Sequence, residues 1–288
     1  MTLDYKNLEK RKIEEIEHSK KRRSILQGFE RQVDSNEDES LNLENLVKDK
    51  NKKEFDYHFS NMKYYSITRS SEQYKENWLK NNIKVNSKVL DWACGSGENG
   101  IYAAQCGGDV HGIDISQEGI DNAKKNAEHK GVSSKCKFEV MDGENMKFKD
   151  NTFDFGIEYG ALHHVDLPKA LSEIARVLKP DSKMICVEAL RHNPLIHLYR
   201  KMTPHLRTPW EVNHILGIES LNLMKKYFSK VEVTFFHFFS LILVPFRKTK
   251  FFKIAYPFFD SLDKFFLSSR FFGKYGWIMI IELSDPKK

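Results

Sequence analysis

The sequence has few cysteines, no CxxC pair and no long apolar run. Its 288 residues include four cysteines, at scattered positions. This excludes a disulfide framework and a cysteine-based zinc site, and it favours a reducing compartment. The apolar runs are shorter than the about 20 residues that a membrane-spanning helix needs. No apolar stretch follows the basic N-terminus, so we expect no signal peptide and a cytoplasmic location.

Most of the chain also has little net charge. Apolar residues make up 40% of the sequence, which excludes a collagen-like or wholly disordered chain. Of 46 Lys and Arg and 40 Asp and Glu, 12 basic and 5 acidic residues lie from Lys225 onward, which leaves 34 against 35 elsewhere. That C-terminal segment also holds 14 of the 21 phenylalanines. A basic, aromatic segment therefore follows a nearly neutral body.

Composition divides the chain into two regions. Residues 1–85 are polar and charged, and they predict an N-terminal helical lid. A run rich in Ser, Asn, Asp and Glu predicts a mobile linker near 33–53 within this region. Residues 86–288 predict the core domain, with cap insertions near 191–217 and 241–274.

From residue 88 onward, strand patterns alternate with helical patterns. This alternation indicates right-handed βαβ crossovers and a parallel sheet. The last two strand patterns lie at 230–240 and 275–283, and some 34 residues intervene where a hairpin would suffice. Ligands of such sheets lie beyond the carboxyl ends of the strands, so functional residues are expected there.

A glycine-rich loop with an acid before it follows the first strand. Residues 91–100 (DWACGSGENG) contain a GxGxxG pattern, which also occurs in dinucleotide sites. The carboxylate of Asp91 would repel a pyrophosphate at the next helix, whereas it would attract ammonium and sulfonium groups. S-adenosyl-L-methionine (SAM) carries both of these cations. A SAM site is therefore favoured, and a nicotinamide-dependent oxidoreductase stays the alternative enzyme.

Two further acids end the next two strands. Asp114 follows the second strand, where its carboxylate can accept both hydroxyls of a ribose, and Asp142 follows the third, within reach of an adenine amino group. Ionised carboxylates are strong acceptors for such donors. Either Asp91 or Asp114 alone could serve only to cap a loop or helix. Three acids at consecutive strand ends favour a nucleoside site.

Five segments resemble those of class I SAM-dependent methyltransferases, in that family's order and spacing. They are residues 91–97, 112–116, 142, 153–165 and 173–180, and they cover roughly 85–190. The resemblance implies an α/β fold with a Rossmann-like seven-stranded sheet, mostly parallel with an antiparallel edge strand, and helices on both faces. It implies SAM as cofactor, S-adenosyl-L-homocysteine (SAH) as product, and a cofactor site formed by Asp91, Ala93, Cys94, Gly95, Gly97, Asp114, Ile115, Asp142, Gly143 and Glu158.

The resemblance also implies a base for the methyl acceptor. Some O-methyltransferases of this kind use a histidine pair after the fourth strand and a carboxylate at the end of the fifth. The matching residues are His163, His164 and Glu188, with His164 and Glu188 as the first choice. A histidine suits removal of a hydroxyl proton near neutral pH. One of these histidines could instead only pack under the loop, as in members that methylate carbon. No metal is expected, because these residues are not at a spacing typical of metal ligands.

Acceptor contacts are expected after the fourth and fifth strands, at Tyr159, Arg191, His192 and Arg207. The basic side chains could bind an anionic or hydroxylated acceptor, although Arg207 and Glu211 could instead form a surface helix pair. We expect methyl transfer to a small molecule, with oxygen as the first choice of atom. Methylation of carbon or nitrogen and a non-catalytic SAM-binding regulator remain alternatives.

Phenylalanine pairs lie between the last two strands, at 251–252, 258–259, 265–266 and 271–272. Lys and Arg are interleaved with them, and the spacing favours amphipathic helices. We predict peripheral contact with anionic lipid at the inner membrane surface, where a lipophilic acceptor could enter. A buried position or a homodimer face stays open. No nucleic acid is expected, because no module that binds it accompanies the charge.

Overall fold

A computed structural model describes residues 8–28 and 52–288. The linker predicted near 33–53 lies outside the described residues, apart from residues 52 and 53, which begin a helix. No helix in the described part of the chain combines the length and apolar character needed to cross a membrane.

The described residues form one seven-stranded mixed sheet in the order β3-β2-β1-β4-β5-β7-β6. The strands are β1 Lys88–Trp92, β2 Asp109–Asp114, β3 Cys136–Val140, β4 Phe153–Tyr159, β5 Leu178–Ala189, β6 Phe228–Phe236 and β7 Ile278–Pro286. Strands β1 to β5 pair in parallel, and β7 pairs antiparallel with both β5 and β6. The predicted Rossmann-like sheet is therefore confirmed, with the antiparallel strand next to the β6 edge.

Helices cover both faces of the sheet. They are α1 Lys10–Gly28, α2 Lys52–Phe59, α3 Arg69–Asn82, α4 Glu98–Gln105, α5 Gln117–His129, α6 Leu167–Val177, α7 Pro194–Met202, α8 Pro209–His214, α9 Ser220–Tyr227, α10 Lys250–Leu267 and α11 Arg270–Gly273. Leu171 of α6 and Leu79 of α3 are fully buried in two different core clusters. Because both faces are covered, consecutive residues of a central strand can both be buried apolar side chains, as Val89 and Leu90 of β1 are.

The N-terminal helices are attached to the core by polar contacts as well as by packing. The carboxylate of Glu282 on β7 accepts hydrogen bonds from Tyr74 Oη at 2.5 Å and from Trp78 Nε1 at 2.7 Å, which fixes α3 across the sheet. Helix α1 and the 3-10 helix Ser60–Ile67 lie at the carboxyl ends of the strands, together with α7 and α8. These four elements form a roof above the strand ends.

Helix α10 turns its acids inward and its large apolar side chains outward. Asp263 is buried and accepts hydrogen bonds from Phe239 N and Ser240 Oγ, each at 2.6 Å. These contacts attach α10 to the start of the 3-10 helix Ser240–Phe246. Phe258 and Phe265, by contrast, are 63% and 74% exposed. Unlike an ordinary surface helix, α10 therefore exposes large apolar side chains to solvent.

Candidate functional site

A cavity of 670 Å³ lies between the strand ends and the roof. Its floor contains residues that follow β1, β2 and β3, among them Ala93, Ile115 and Gly143. Its walls come from the loop after β4, the end of β5, and the roof elements. The volume is in the range of small-molecule sites.

Two carboxylates on this floor are oriented by backbone amides. Asp114 accepts hydrogen bonds from Gly95 N at 2.9 Å and from Ser116 N at 2.8 Å, and it lines the cavity. Asp142 also lines the cavity and accepts a hydrogen bond from Glu144 N at 2.9 Å. Because a carboxylate has about four lone-pair sites, each can accept from a ligand as well.

Asp91 lies beneath the glycine-rich loop and is not among the residues that line the cavity. Its carboxylate is 2% exposed and accepts a hydrogen bond from Gly100 N at 2.9 Å. A Cβ at Gly100 would lie 2.6 Å from this carboxylate, so only glycine fits there. Burial raises the pKa of Asp91 to about 7 from its usual 3.8, despite the hydrogen bond from Gly100.

The other predicted cofactor residues divide between the cavity and its support. Ala93 adopts a left-handed φ of 55° and reaches the cavity, whereas Cys94, Gly95 and Gly97 lie behind it. Gly97, at φ 84°, is the N-cap of α4. Contacts of the cofactor with Asp91, Cys94, Gly95 and Gly97 therefore stay predictions.

The two histidines after β4 have different partners. His163 Nδ1 lies 2.7 Å from Glu188 Oε2, and Glu188 Oε1 accepts a hydrogen bond from Leu162 N at 2.7 Å. Although burial opposes it, the charge and hydrogen bond of His163 lower the pKa of Glu188. Burial, followed by the charge of Glu188, raises the pKa of Glu158 well above its usual value. Glu188 is therefore the ionised member of this pair of acids, and it orients His163.

His164 is bound by helix α1 instead of by β5. Its Nδ1 lies 3.0 Å from Glu15 Oε2, and Glu15 also accepts a hydrogen bond from Thr208 Oγ1. Burial would lower the pKa of His164, but the hydrogen bond and charge of Glu15 outweigh it and raise the pKa. The protonated imidazole is thereby favoured at this position. A protonated His164 is poorly suited to take up the proton of an acceptor.

Helix α1 also reaches the floor of the cavity, which the sequence did not reveal. Lys12 Nζ lies 2.6 Å from Asp142 and 2.9 Å from Glu144, and Arg11 lies 2.6 Å from Glu144. Arg11 Nη1 also donates to His164 O at 2.8 Å. These partners are 130 or more positions apart in the chain, so no local spacing signals them.

Only part of the predicted acceptor contacts line the cavity. Tyr159 and Arg207 do so, and the Arg207–Glu211 pair forms as well, at 3.4 Å. Arg191 and His192 lie elsewhere, at 2.5 Å and 3.5 Å from Glu219. The chain turns away after β5, where Asn193 caps α7 by accepting from Ile196 N, and this turn carries the two side chains outward.

Comparisons with known proteins agree with this fold. A family model described as "Methyltransferase domain" matches residues 83–232. The ubiquinone/menaquinone biosynthesis C-methyltransferase UbiE of Rickettsia felis is 36% identical over 122 residues, which cover 40% of this chain and 49% of that protein. Its counterpart in Rickettsia prowazekii is 35% identical over the same length. The chain thus matches about half the length of these relatives.

Solved structures with low identity share the fold. Haemonchus contortus phosphoethanolamine N-methyltransferase 2, solved with SAM, has a TM-score of 0.53 at 21% identity, over 75% of this chain and 53% of that one. PH0226 protein from Pyrococcus horikoshii has a TM-score of 0.51 at 21% identity, over 84% of this chain and 100% of that one. At such identities the likeness establishes the architecture alone.

The raised pKa of Asp91 predicts a specific pH dependence of stability. Because the folded protein holds this proton up to a pH of about 7, whereas the unfolded chain releases it near 3.8, the free energy of unfolding falls as the pH rises between these values. Asn cannot ionise, so Asp91→Asn removes this decrease in the free energy of unfolding. Between pH 4 and pH 8, we expect the free energy of unfolding of the variant to rise relative to that of the wild type by on the order of 4 kcal/mol.

Urea unfolding at several pH values measures this difference. Asp121→Asn, on the exposed side of α5, is the matched control and should follow the wild type. Parallel pH profiles for Asp91→Asn and the wild type would show that burial does not raise the pKa of Asp91.

Proposed function

This chain belongs to the methyltransferase domain family, and from that premise we propose that the cavity beneath α1 holds SAM beside a hydroxylated small molecule. The protein is a SAM-dependent methyltransferase that acts on a small molecule. The proposal adds which residues hold the two ligands, which group removes the acceptor proton, and where the acceptor enters.

The residues at the strand ends fit the cofactor. SAM, when bound, supplies an electrophilic methyl carbon on a sulfonium and leaves as SAH. Asp114 and Asp142 are acceptors suited to its ribose hydroxyls and adenine amino group, and both line the cavity. Gly143 leaves room beside the Trp92 ring, because a Cβ there would lie 2.6 Å from it. The carboxylates at the strand ends would repel a pyrophosphate, which argues against a nicotinamide cofactor.

His163 is the base in this proposal. Glu188 holds its Nδ1 at 2.7 Å, which fixes the tautomer and leaves Nε2 as the atom that accepts a proton. His163 lines the cavity, where it can bind the acceptor hydroxyl and take its proton as the oxygen attacks the methyl carbon. His164, which the sequence favoured, is paired with Glu15 and is better suited to orienting α1 than to accepting a proton.

Carbon is the second candidate for the methylated atom. The observation that favours it is the 36% identity to a C-methyltransferase over 122 residues. The chemistry of the site serves both outcomes, since loss of a phenolic proton activates the neighbouring ring carbon as well as the oxygen. The position of the acceptor above the cofactor, and not the base, would decide between them.

Binding of SAH tests the cofactor site. We expect Asp114→Ala to weaken SAH binding by at least about 10-fold, because the ribose loses a charge-assisted hydrogen-bond acceptor. Isothermal titration calorimetry on the full chain measures this change, and Asp121→Ala is the matched exposed control. Absence of SAH binding by the wild type would contradict the proposed function.

Turnover tests the base. SAH release from SAM is measured with a panel of hydroxybenzoates and naphthols, and product NMR distinguishes methylation of oxygen from that of carbon. We expect His163→Asn to lower the rate by about 10²- to 10⁴-fold while SAH affinity is unchanged, since only proton removal is lost. His164→Asn is the matched control, and its turnover rate should fall less than that of His163→Asn. The base assignment fails if the two variants lose equal activity.

We further propose that α10 rests on an anionic membrane surface. One stripe of this helix carries Phe251, Ile254, Phe258 and Phe265, which are 55–78% exposed. Residues 241–274 contain seven Lys and Arg against two Asp, and both aspartates are buried. An apolar stripe flanked by cations fits the boundary between headgroups and acyl chains better than it fits water.

The same helix is joined to the cavity wall. Tyr256 Oη donates to Ile67 O at 2.8 Å, at the end of the 3-10 helix whose Tyr64 and Tyr65 line the cavity. A lipophilic acceptor could therefore pass from the membrane surface to the site along this wall. This supports peripheral contact at the inner membrane surface by a cytoplasmic enzyme.

Vesicle sedimentation tests the membrane proposal. We expect the full chain to pellet with phosphatidylglycerol vesicles at low salt, and the double variant Phe258→Ser/Phe265→Ser to bind about 10-fold more weakly, because two apolar side chains no longer leave water. Val85→Ser removes an exposed apolar side chain outside α10 and is the control. A wild type that stays in the supernatant, or that sediments as a dimer through this face, would overturn the proposal.

A further inference from the structure

Three arginines line the same wall of the cavity. Arg22 comes from α1, Arg200 from α7, and Arg207 from the loop before α8. Tyr65 and Tyr199 line the cavity beside them. The arginines come from three separate segments of the chain, so their meeting is a property of the folded roof and not of a local basic run.

Few carboxylates balance these charges. Arg22 packs on the ring of Phe59 at 5.2 Å, and within the described ranges it has no ion pair. Arg200 Nη1 donates to the carbonyl of Leu190 at 2.8 Å, and again no described carboxylate pairs with it. Arg207 Nε lies 3.4 Å from Glu211, and its Nη1 donates to Thr203 O at 2.9 Å.

Among the described carboxylates, only that of Glu211 lies within ion-pair distance of one of the three guanidinium groups. Glu15 is occupied by His164 and Thr208, and Glu188, whose charge also acts on Arg200, is occupied by His163. Burial, followed by the charge of Arg207, lowers the pKa of Arg200 to about 10, and burial also lowers the pKa of Arg22. Half-buried cations that repel one another are costly unless an anion joins them.

We propose that Arg22, Arg200 and Arg207 form an oxyanion subsite that binds a carboxylate or phosphate group of the methyl acceptor. The subsite rests on the proposed function, because it describes the second ligand of the same cavity. Planar guanidinium groups match the paired oxygens of such anions. Phe59, Ile196 and Trp277 also line the cavity, so the acceptor combines this anionic group with an apolar body.

The cavity is then complementary to two ligands of opposite charge. Carboxylates at the strand ends face a cationic cofactor, and the arginines face an anionic acceptor. His163 lies on the wall between the loop after β4 and β5, within reach of the boundary between the two. An uncharged acceptor of the same shape would leave the arginines unpaired and would bind more weakly.

Calorimetry with two simple anions tests the subsite. The full chain is titrated with inorganic phosphate and with benzoate, each with and without SAH. We expect saturable binding that Arg22→Gln and Arg200→Gln each weaken by about 10-fold, because each removes a charge-assisted contact. Arg22→Lys, which keeps the charge but loses the planar pair of donors, should recover only part of the affinity that Arg22→Gln loses. Tighter binding of phosphate would indicate a phosphate monoester, and tighter binding of benzoate an organic acid.

The matched control is Arg69→Gln, at an exposed position at the start of α3, which should bind both anions like the wild type. Arg22→Gln breaks no hydrogen bond of the described structure, so its thermal midpoint should stay near that of the wild type. Equal anion affinity in wild type and both glutamine variants, or no saturable binding of either anion, would overturn the subsite. Because SAH binding is measured separately, failure of the subsite is distinguishable from failure of the proposed function.

Discussion

The parallel arrangement of β1 to β5 is the constraint on which the site depends. Parallel strands end at the same edge, so an acid placed after each strand comes to the same place in space. Backbone amides then hold these acids, as Gly95 N and Ser116 N hold Asp114. The charge of the floor is therefore fixed before any ligand arrives, and binding of a cation needs little rearrangement of the protein.

Residues tied to this edge were predictable from the sequence, because each belongs to a local pattern of strand, turn and helix. Asp114, Asp142 and Gly143 line the cavity as expected. The choice of partner for Glu188 was not predictable, since His163 and His164 are adjacent in the 3-10 helix Leu162–His164, and a third of a turn decides which imidazole faces β5. Arg191 and His192 illustrate the same limit, because the chain reverses direction just after them and pairs both with Glu219.

The roof could not be predicted in detail, because its residues meet through tertiary packing alone. Lys12 and Arg22 lie on α1, and their positions along this helix do not mark them as part of a site. Their neighbours come from the loop after β3, from α7 and from α8, far along the chain. A basic helix with ordinary surface composition thus becomes the inner wall of a cavity, and this outcome depends on where the helix is docked.

Helix α1 contacts both halves of the cavity at once. Its Lys12 is paired with Asp142 on the floor, its Glu15 with His164, and its Arg22 lies beside the other arginines. Exchange of either ligand through this side requires the same helix to lift and the same ion pairs to separate. Movement of this one helix would therefore open the floor and the arginine wall of the cavity together.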